Sequence, residues 1–188
     1  MITHNQSLPS DWVVRFEPRI PKNHQLFGRV LDYACGSGRH ALFLQRQGHA
    51  VLAMDRDSQS LMELEHANEF HQPFPIELRC VDLEQKTCVL EEEGELFVGI
   101  IVTNYLYRPH LQCLFNQLDL GGVLIYETFA AGNERYGKPS NPNFLLKENE
   151  LLEIAMANHL QILAFEQIEV TLPKPAIIQR ICAVRTKD

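Results

Sequence analysis

The stretch Val30-Leu31-Asp32-Tyr33-Ala34-Cys35-Gly36-Ser37-Gly38-Arg39-His40 decides how this chain is read. An apolar run ends near an acid, two glycines follow, and a helical pattern starts at Arg39 with Ala41 and Leu44 on one face. Gly36 and Gly38 permit a sharp turn and a close backbone approach to a ligand. The helix start beyond them offers N–H groups and positive dipole character. Gly36-x-Gly38-x-x-Ala41 also fits a dinucleotide fingerprint, with Asp55 at the distance expected for a ribose partner. A glycine turn needed only for packing would look the same.

Asp32 separates the nucleotide readings. A carboxylate four residues before Gly36 repels a pyrophosphate and attracts an ammonium or sulfonium group. Asp55 ends a second apolar run and can accept from both hydroxyls of a ribose. Asp82 follows a third run and can accept from an adenine amino group, with the Leu83 backbone N–H next to it. Each acid also has a plainer reading, as a solvated strand end, a helix partner or a turn residue.

The rest of the chain repeats the same rhythm. Strands are expected at 29–33, 50–54, 76–81, 97–103 and 121–129. Helices are expected at 39–47, from Asp57 onward, at 110–118 and at 147–157. Gly48 reads as a helix C-cap, and Ser60-x-x-Glu63 as a capping box. Residues 130–146 are rich in Gly, Pro and Asn and read as a long loop, of a kind often used as a lid. Residues 160–171 and 176–184 are two extended segments whose short connection predicts an antiparallel pair. The sum is a mostly parallel sheet covered on both faces, with ligands expected beyond the carboxyl ends of its strands.

The composition agrees with one domain. The chain has 188 residues, 45% hydrophobic and 22% charged, with a net charge of −7 that gives no general attraction to nucleic acid. No apolar run is long enough for a membrane span, and the first dozen residues lack the features of a signal peptide. The five cysteines (Cys35, Cys80, Cys88, Cys113, Cys182) are odd in number and show no CxxC spacing. Neither a disulfide framework nor a structural zinc site is expected, which favours a reducing cytoplasm. The eight histidines form no metal-ligand spacing, so no metal is expected.

With these residues in place, the sequence resembles the Rossmann-like (class I) S-adenosylmethionine-dependent methyltransferases. LDYACGSGRHALFL (31–44) looks like their first motif, AMDRD (53–57) their second and CVDLEQ (80–85) their third, and NYLYRP (104–109) stands where the fourth stands. More narrowly, GSGRHALFLQRQGHAV (36–51) is similar to small bacterial methyltransferases of the tellurite-resistance and thiopurine type. The resemblance implies an α/β, doubly wound, mostly parallel seven-stranded sheet with a C-terminal antiparallel hairpin. It divides one domain into an arm (1–28), a cofactor core (29–129), a substrate loop (130–146) and a C-terminal helix and hairpin (147–188). It implies S-adenosylmethionine as cofactor and S-adenosylhomocysteine as product. The turn of Ala34, Gly36 and Gly38 would lie under the methionine moiety, with Asp32 at its amino group and Asn104 toward the methyl. Asp55 and the adjacent Arg56 would lie at the ribose, and Asp82 and Leu83 at the adenine.

Methyl transfer from a sulfonium is an in-line displacement that needs no metal in principle, so the protein mainly positions the reactants. Asn104, Tyr107 and His110 are the catalytic candidates, with helix capping as the plainer role for His110. Asn104-Tyr-Leu-Tyr107 is similar to the Asn-Pro-Pro-Tyr motif of amino methyltransferases, but both prolines are missing. Tyr105, Arg108, Arg135 and Tyr136, with Lys138, form a candidate rim for a small anionic or aromatic substrate. Trp12 and Phe16 are either a further pocket wall or core anchors. The expected partner is a small molecule, with neither nucleic acid nor membrane, and the chain a monomer or homodimer. Two other functions fit parts of the pattern. An NAD(P)-dependent oxidoreductase matches GxGxxA and Asp55, but Asp32 and the lack of a Tyr-x-x-x-Lys pair oppose it. A non-catalytic S-adenosylmethionine-binding module matches the motifs without the chemistry.

Overall fold

Val30–Tyr33 forms strand β1, and all four of its residues are buried. In this computed structural model, which describes residues 8–22, 28–68, 74–91, 94–172 and 174–186, β1 lies between two other parallel strands. Residues 1–7 and 23–27 of the expected arm, and Pro173 of the hairpin connection, lie outside the described residues. The other strands are β2 (Val51–Asp55), β3 (Ile76–Cys80), β4 (Phe97–Thr103), β5 (Leu118–Phe129), β6 (Leu160–Val170) and β7 (Ala176–Arg185). They form one seven-stranded sheet in the order β3-β2-β1-β4-β5-β7-β6. The first five are parallel, and β7 runs antiparallel to both β5 and β6. The expected fold is therefore present.

Side chains alternate across the sheet with a period of two. Leu31, Tyr33, Leu52, Met54, Ile100, Val102, Leu124 and Tyr126 share one core with Leu114 and Phe115 of helix α4 (Leu111–Asn116) and Leu151 and Ala155 of α5 (Glu150–Ala157). Val30, Val51, Ala53, Ile101, Val123 and Ile125 share the other with helices α1 (Asp11–Phe16), α2 (Arg39–Arg46) and α3 (Ser58–Ala67). Parallel strands buried on both faces read as continuous apolar runs, which is why β4 was so plain in the sequence.

Several boundaries differ from expectation. The helix expected at 110–118 is shorter, because β5 begins at Leu118, which pairs with Phe97, and its pairing with β4 shifts register before resuming at Val123. The capping box at Ser60 is not formed. Asp57 is the N-cap instead, accepting from the Gln59 N–H at 3.1 Å and from the Ser60 hydroxyl at 2.7 Å. Cys88 and Cys113 form a disulfide, contrary to the expectation of reduced cysteines. Both are buried in one core cluster, one from the segment after β3 and one from α4. Their pairing depends on tertiary packing across 25 residues, which spacing motifs do not record. The cysteine count consequently gives no argument for a reducing compartment. Among the described residues, no helix is long and apolar enough to cross a membrane.

Candidate active site

Asp32 is 1% exposed within the central strand, so its charge is removed from water. Burial pushes its carboxyl up to about 7, with nearby Asp55 adding to the rise. The Ala41 backbone N–H and Arg39 oppose the shift. Its Oδ2 has no hydrogen-bond partner among the described residues. Such an orphan is costly, and a ligand donor placed there would relieve it.

The turn that follows is built around bare backbone. Gly38 is left-handed (φ 76°) as the N-cap of α2, and a Cβ there would lie 2.3 Å from the Leu64 side chain. Gly36 is also left-handed (φ 55°), but a Cβ built on it meets nothing within 4 Å, so its backbone borders open space. Asp55 holds this turn in shape. One of its oxygens accepts from the Gly36 N–H at 2.8 Å and the other from the Asp57 N–H at 2.9 Å. Each carboxylate oxygen keeps a further lone pair for a ligand hydroxyl.

A first cleft runs from this turn past the ends of β2 and β3. Ala34, Asp55, Arg56, Asp82, Leu83, Glu84 and Tyr105 line it, so most of the expected cofactor residues converge. A second cleft of about 220 Å³ lies beyond β4 and β5, lined by Glu84, Asn104, Tyr105, Leu106, Thr128, Phe129, Pro139 and Phe144. Glu84 and Tyr105 belong to both. The clefts are therefore adjacent, as the sites of two reactants must be. No group of three or more His, Cys, Asp or Glu among the described residues could hold a metal.

The model of the tellurite resistance protein TehB family matches residues 24–159, well over half of the chain. The chain belongs to the TehB family. A search of curated proteins gives no match. The structure is similar to that of TehB from Haemophilus influenzae, with a TM-score of 0.74 at 19% identity. That match covers 98% of this chain and 64% of the other, so this chain spans less than two thirds of that protein's length. It is also similar to magnesium protoporphyrin IX methyltransferase (ChlM) from Synechocystis PCC 6803 with bound SAM. There the TM-score is 0.64 at 19% identity, covering 93% of this chain and 75% of that one. N-methyltransferase NodS from Bradyrhizobium japonicum WM9 shares the fold at a TM-score of 0.61 and 15% identity, over 85% of this chain and 86% of that one. The fold is shared with solved structures of S-adenosylmethionine-dependent methyltransferases from Listeria monocytogenes and Clostridium acetobutylicum.

In this TehB-family chain, several expected site residues are engaged elsewhere. Trp12 and Phe16 line neither cleft. They are buried in the core against α2 and the sheet, where the Trp12 indole donates to the Ile181 carbonyl at 3.1 Å and lies 4.6 Å from the Arg180 guanidinium. Arg108 is fixed by Glu150 at 2.6 Å and by the carbonyls of Asn143 and Leu145. Arg135 lies over the Tyr136 ring and 3.7 Å from Glu169. Neither arginine nor Tyr136 lines a cleft, so the expected basic rim does not form. His110 is buried, and its Nδ1–H donates to the Leu83 carbonyl at 2.9 Å. It braces the segment at Leu83, and it stands at the N-cap position of α4, although its side chain makes no capping hydrogen bond. Tyr107 packs edge-on against His110, and its hydroxyl donates to the Glu84 carbonyl at 3.4 Å. Asn104, left-handed at φ 55°, is the one catalytic candidate that lines the second cleft.

The sequence reading missed Glu84, Leu106, Thr128, Phe129, Pro139 and Phe144 as cleft residues. Glu84 alone had a local signal, two residues after Asp82. It also missed the buried His40, whose Nε2 accepts from the Ser10 N–H at 3.1 Å. Its Nδ1 faces the Thr103 hydroxyl at 3.4 Å, and burial pushes the imidazole down to about 3, so it stays neutral. The Ser10 hydroxyl donates to Glu127 at 2.8 Å. Together these bonds tie the segment before α1 to the ends of β4 and β5.

Proposed function

We propose that this chain transfers a methyl group from S-adenosylmethionine to a small molecule. The observation that carries the reading is Asp32, a buried carboxylate with an unpartnered oxygen at the end of the central strand, behind the open Gly36 backbone. An ammonium group is the ligand donor that best offsets such a buried anion.

In this reading Asp32 holds the methionine ammonium, Asp55 uses its remaining lone pairs on the ribose hydroxyls, and Asp82 and Leu83 face the adenine. When bound, the cofactor supplies an electrophilic sulfonium methyl and its own leaving group. The protein's part is positioning. Asp55 fixes the glycine turn through Gly36 and Asp57. His110 holds Leu83 in place through its carbonyl. Tyr105 and Glu84 stand where the two clefts meet, and the second cleft holds the acceptor. A soft nucleophile needs no general base in this arrangement. A volume of about 220 Å³ is below the ~300–1,000 Å³ of drug-sized pockets, which favours a small acceptor.

Calorimetric titration with S-adenosylhomocysteine tests the reading. Micromolar binding is expected, and no binding at millimolar ligand would sink it. Asp55→Ala should weaken binding by about 1.5–3 kcal/mol, through loss of a charged hydrogen-bonding group. Unchanged affinity would remove Asp55 from the site.

A further inference from the structure

We propose that Arg108 and Glu150 form a clamp that holds Phe144 in place as a wall of the second cleft, which makes both of them positioning residues for the methyl acceptor. The inference deepens the methyltransferase reading and rests on it.

Arg108 opens the short turn Arg108–His110, directly after Tyr105 and Leu106 of the second cleft. Its guanidinium grips the loop that follows β5 and the start of α5. Nε and Nη2 donate to the two oxygens of Glu150, at 2.6 and 2.8 Å. Nη1 donates to the Asn143 carbonyl and Nη2 to the Leu145 carbonyl, both at 2.7 Å. Those two carbonyls belong to the neighbours of Phe144 on either side. This grip is particular to arginine, because its donors are planar and fixed relative to one another.

Phe144 has little else to hold it. Its side chain is 47% exposed, whereas Leu145 and Leu146 beside it are buried. The position of the ring therefore follows the backbone that carries it. That backbone is a single turn, Pro142–Phe144, capped by the Asn141 side chain, which accepts from the Asn143 N–H at 3.0 Å. Glu150 anchors the other side of the clamp. It is the first residue of α5, whose Leu151 and Ala155 are buried in the core, and its Oε2 also accepts from the Lys147 N–H at 2.7 Å. Burial alone would raise the Glu150 carboxyl, but Arg108 and the Lys147 N–H hold it below its ordinary value, so the pair is ionised.

Pro139, the other residue of this loop in the cleft, has its own anchor. The buried Asn133 donates from Nδ2 to the Pro139 carbonyl at 3.0 Å and accepts at Oδ1 from the Ile177 N–H at 3.2 Å. The loop that composition marks as a lid is thus tied down at both points where it reaches the cleft. An acceptor meets a preformed wall and loses less ordering entropy than it would with a loop that closes over it.

The test places para-fluorophenylalanine at position 144 of the full-length protein and reads its fluorine NMR resonance. In protein saturated with S-adenosylhomocysteine, the resonance should differ from that of the free amino acid. It should shift when benzyl alcohol, an uncharged aromatic probe suited to walls of Leu106, Phe129 and Pro139, is added. Arg108→Lys keeps the charge but loses the fork. It should move the resonance toward the free value and weaken benzyl alcohol about fivefold, with S-adenosylhomocysteine affinity unchanged. Glu150→Gln should act in the same direction and serves where Arg108→Lys fails to fold. Arg135→Ala, which removes the loop cation paired with Glu169, should move neither readout. A clamp that merely stabilised the start of α5 would lower the urea midpoint and leave the resonance and probe affinity of the folded protein unchanged, and that result would overturn the proposal. So would equal shifts from Arg135→Ala, or a wild-type resonance indifferent to benzyl alcohol. If S-adenosylhomocysteine itself fails to bind, it is the methyltransferase reading that fails, and the resonance in ligand-free protein still tests the clamp.

Discussion

The first cleft is made mainly of strand-end and turn residues from 34–84 in the βαβ sequence, with Tyr105 beside them. The second is made of side chains from Glu84, the segment after β4, the end of β5 and the loop that follows it. In the proposed function the first would recognise by charge and backbone geometry, and the second by shape and apolar contact. A ligand common to many relatives can be held by the first kind of surface, because strand ends and glycine turns come with the fold. A variable acceptor needs the second kind, whose walls can change without disturbing the sheet.

The arm could blur that contrast if it belonged to a cleft, and Trp12→Ala tests this with the largest expected effect. Trp12 is 1% exposed, so the substitution should cost about 3–5 kcal/mol in urea denaturation, with little change in ligand affinity of the folded fraction. Lost binding with an unchanged urea midpoint would move the arm from the core into the site.

The disulfide lies behind both clefts, joining the segment after β3, which carries Glu84, to α4. Replacing both with serine should lower stability by about 3.5 kcal/mol, the closure entropy of a loop of this length. A thermal-denaturation midpoint unaffected by replacement or by reductant would show that the core already holds the two segments together.

The smallest expected effect concerns the buried charge behind the glycine turn that leads to the first cleft. Burial pushes the Asp32 carboxyl up to about 7, well above the usual carboxylate range. Its contribution to stability is therefore fully present below about pH 4, falls as the pH rises through about 4–7, and stays low above that window. Ligand binding should have the opposite trend, because an ammonium prefers the ionised carboxylate. S-adenosylhomocysteine should bind about tenfold more weakly at about pH 6 than at about pH 8, and Asp32→Asn should flatten the profile. A flat wild-type profile by calorimetry would separate Asp32 from the ammonium.

Much of the first cleft was readable in the sequence because its determinants are local. An acid, a turn and a helix start lie within ten residues, and the left-handed backbone at Gly36 and Gly38 leaves its mark as glycine. The second cleft was not readable. Tyr105 was identified there, but Phe129, Pro139 and Phe144 look like any apolar loop or strand residues. Likewise, nothing local distinguishes a free Arg108 from one fixed by Glu150, which lies 42 residues away.

By itself, then, the sequence determined the sheet and the edge where the first cleft opens, through the alternation of apolar runs with helical periods and the acids that end them. Only the tertiary structure decided which cations are neutralised, that Trp12 and His110 serve as anchors, and that Cys88 meets Cys113. The physical reason is range. Backbone conformation and strand burial are written in neighbouring residues, whereas ion pairing, desolvation and side-chain packing depend on partners that only folding brings together.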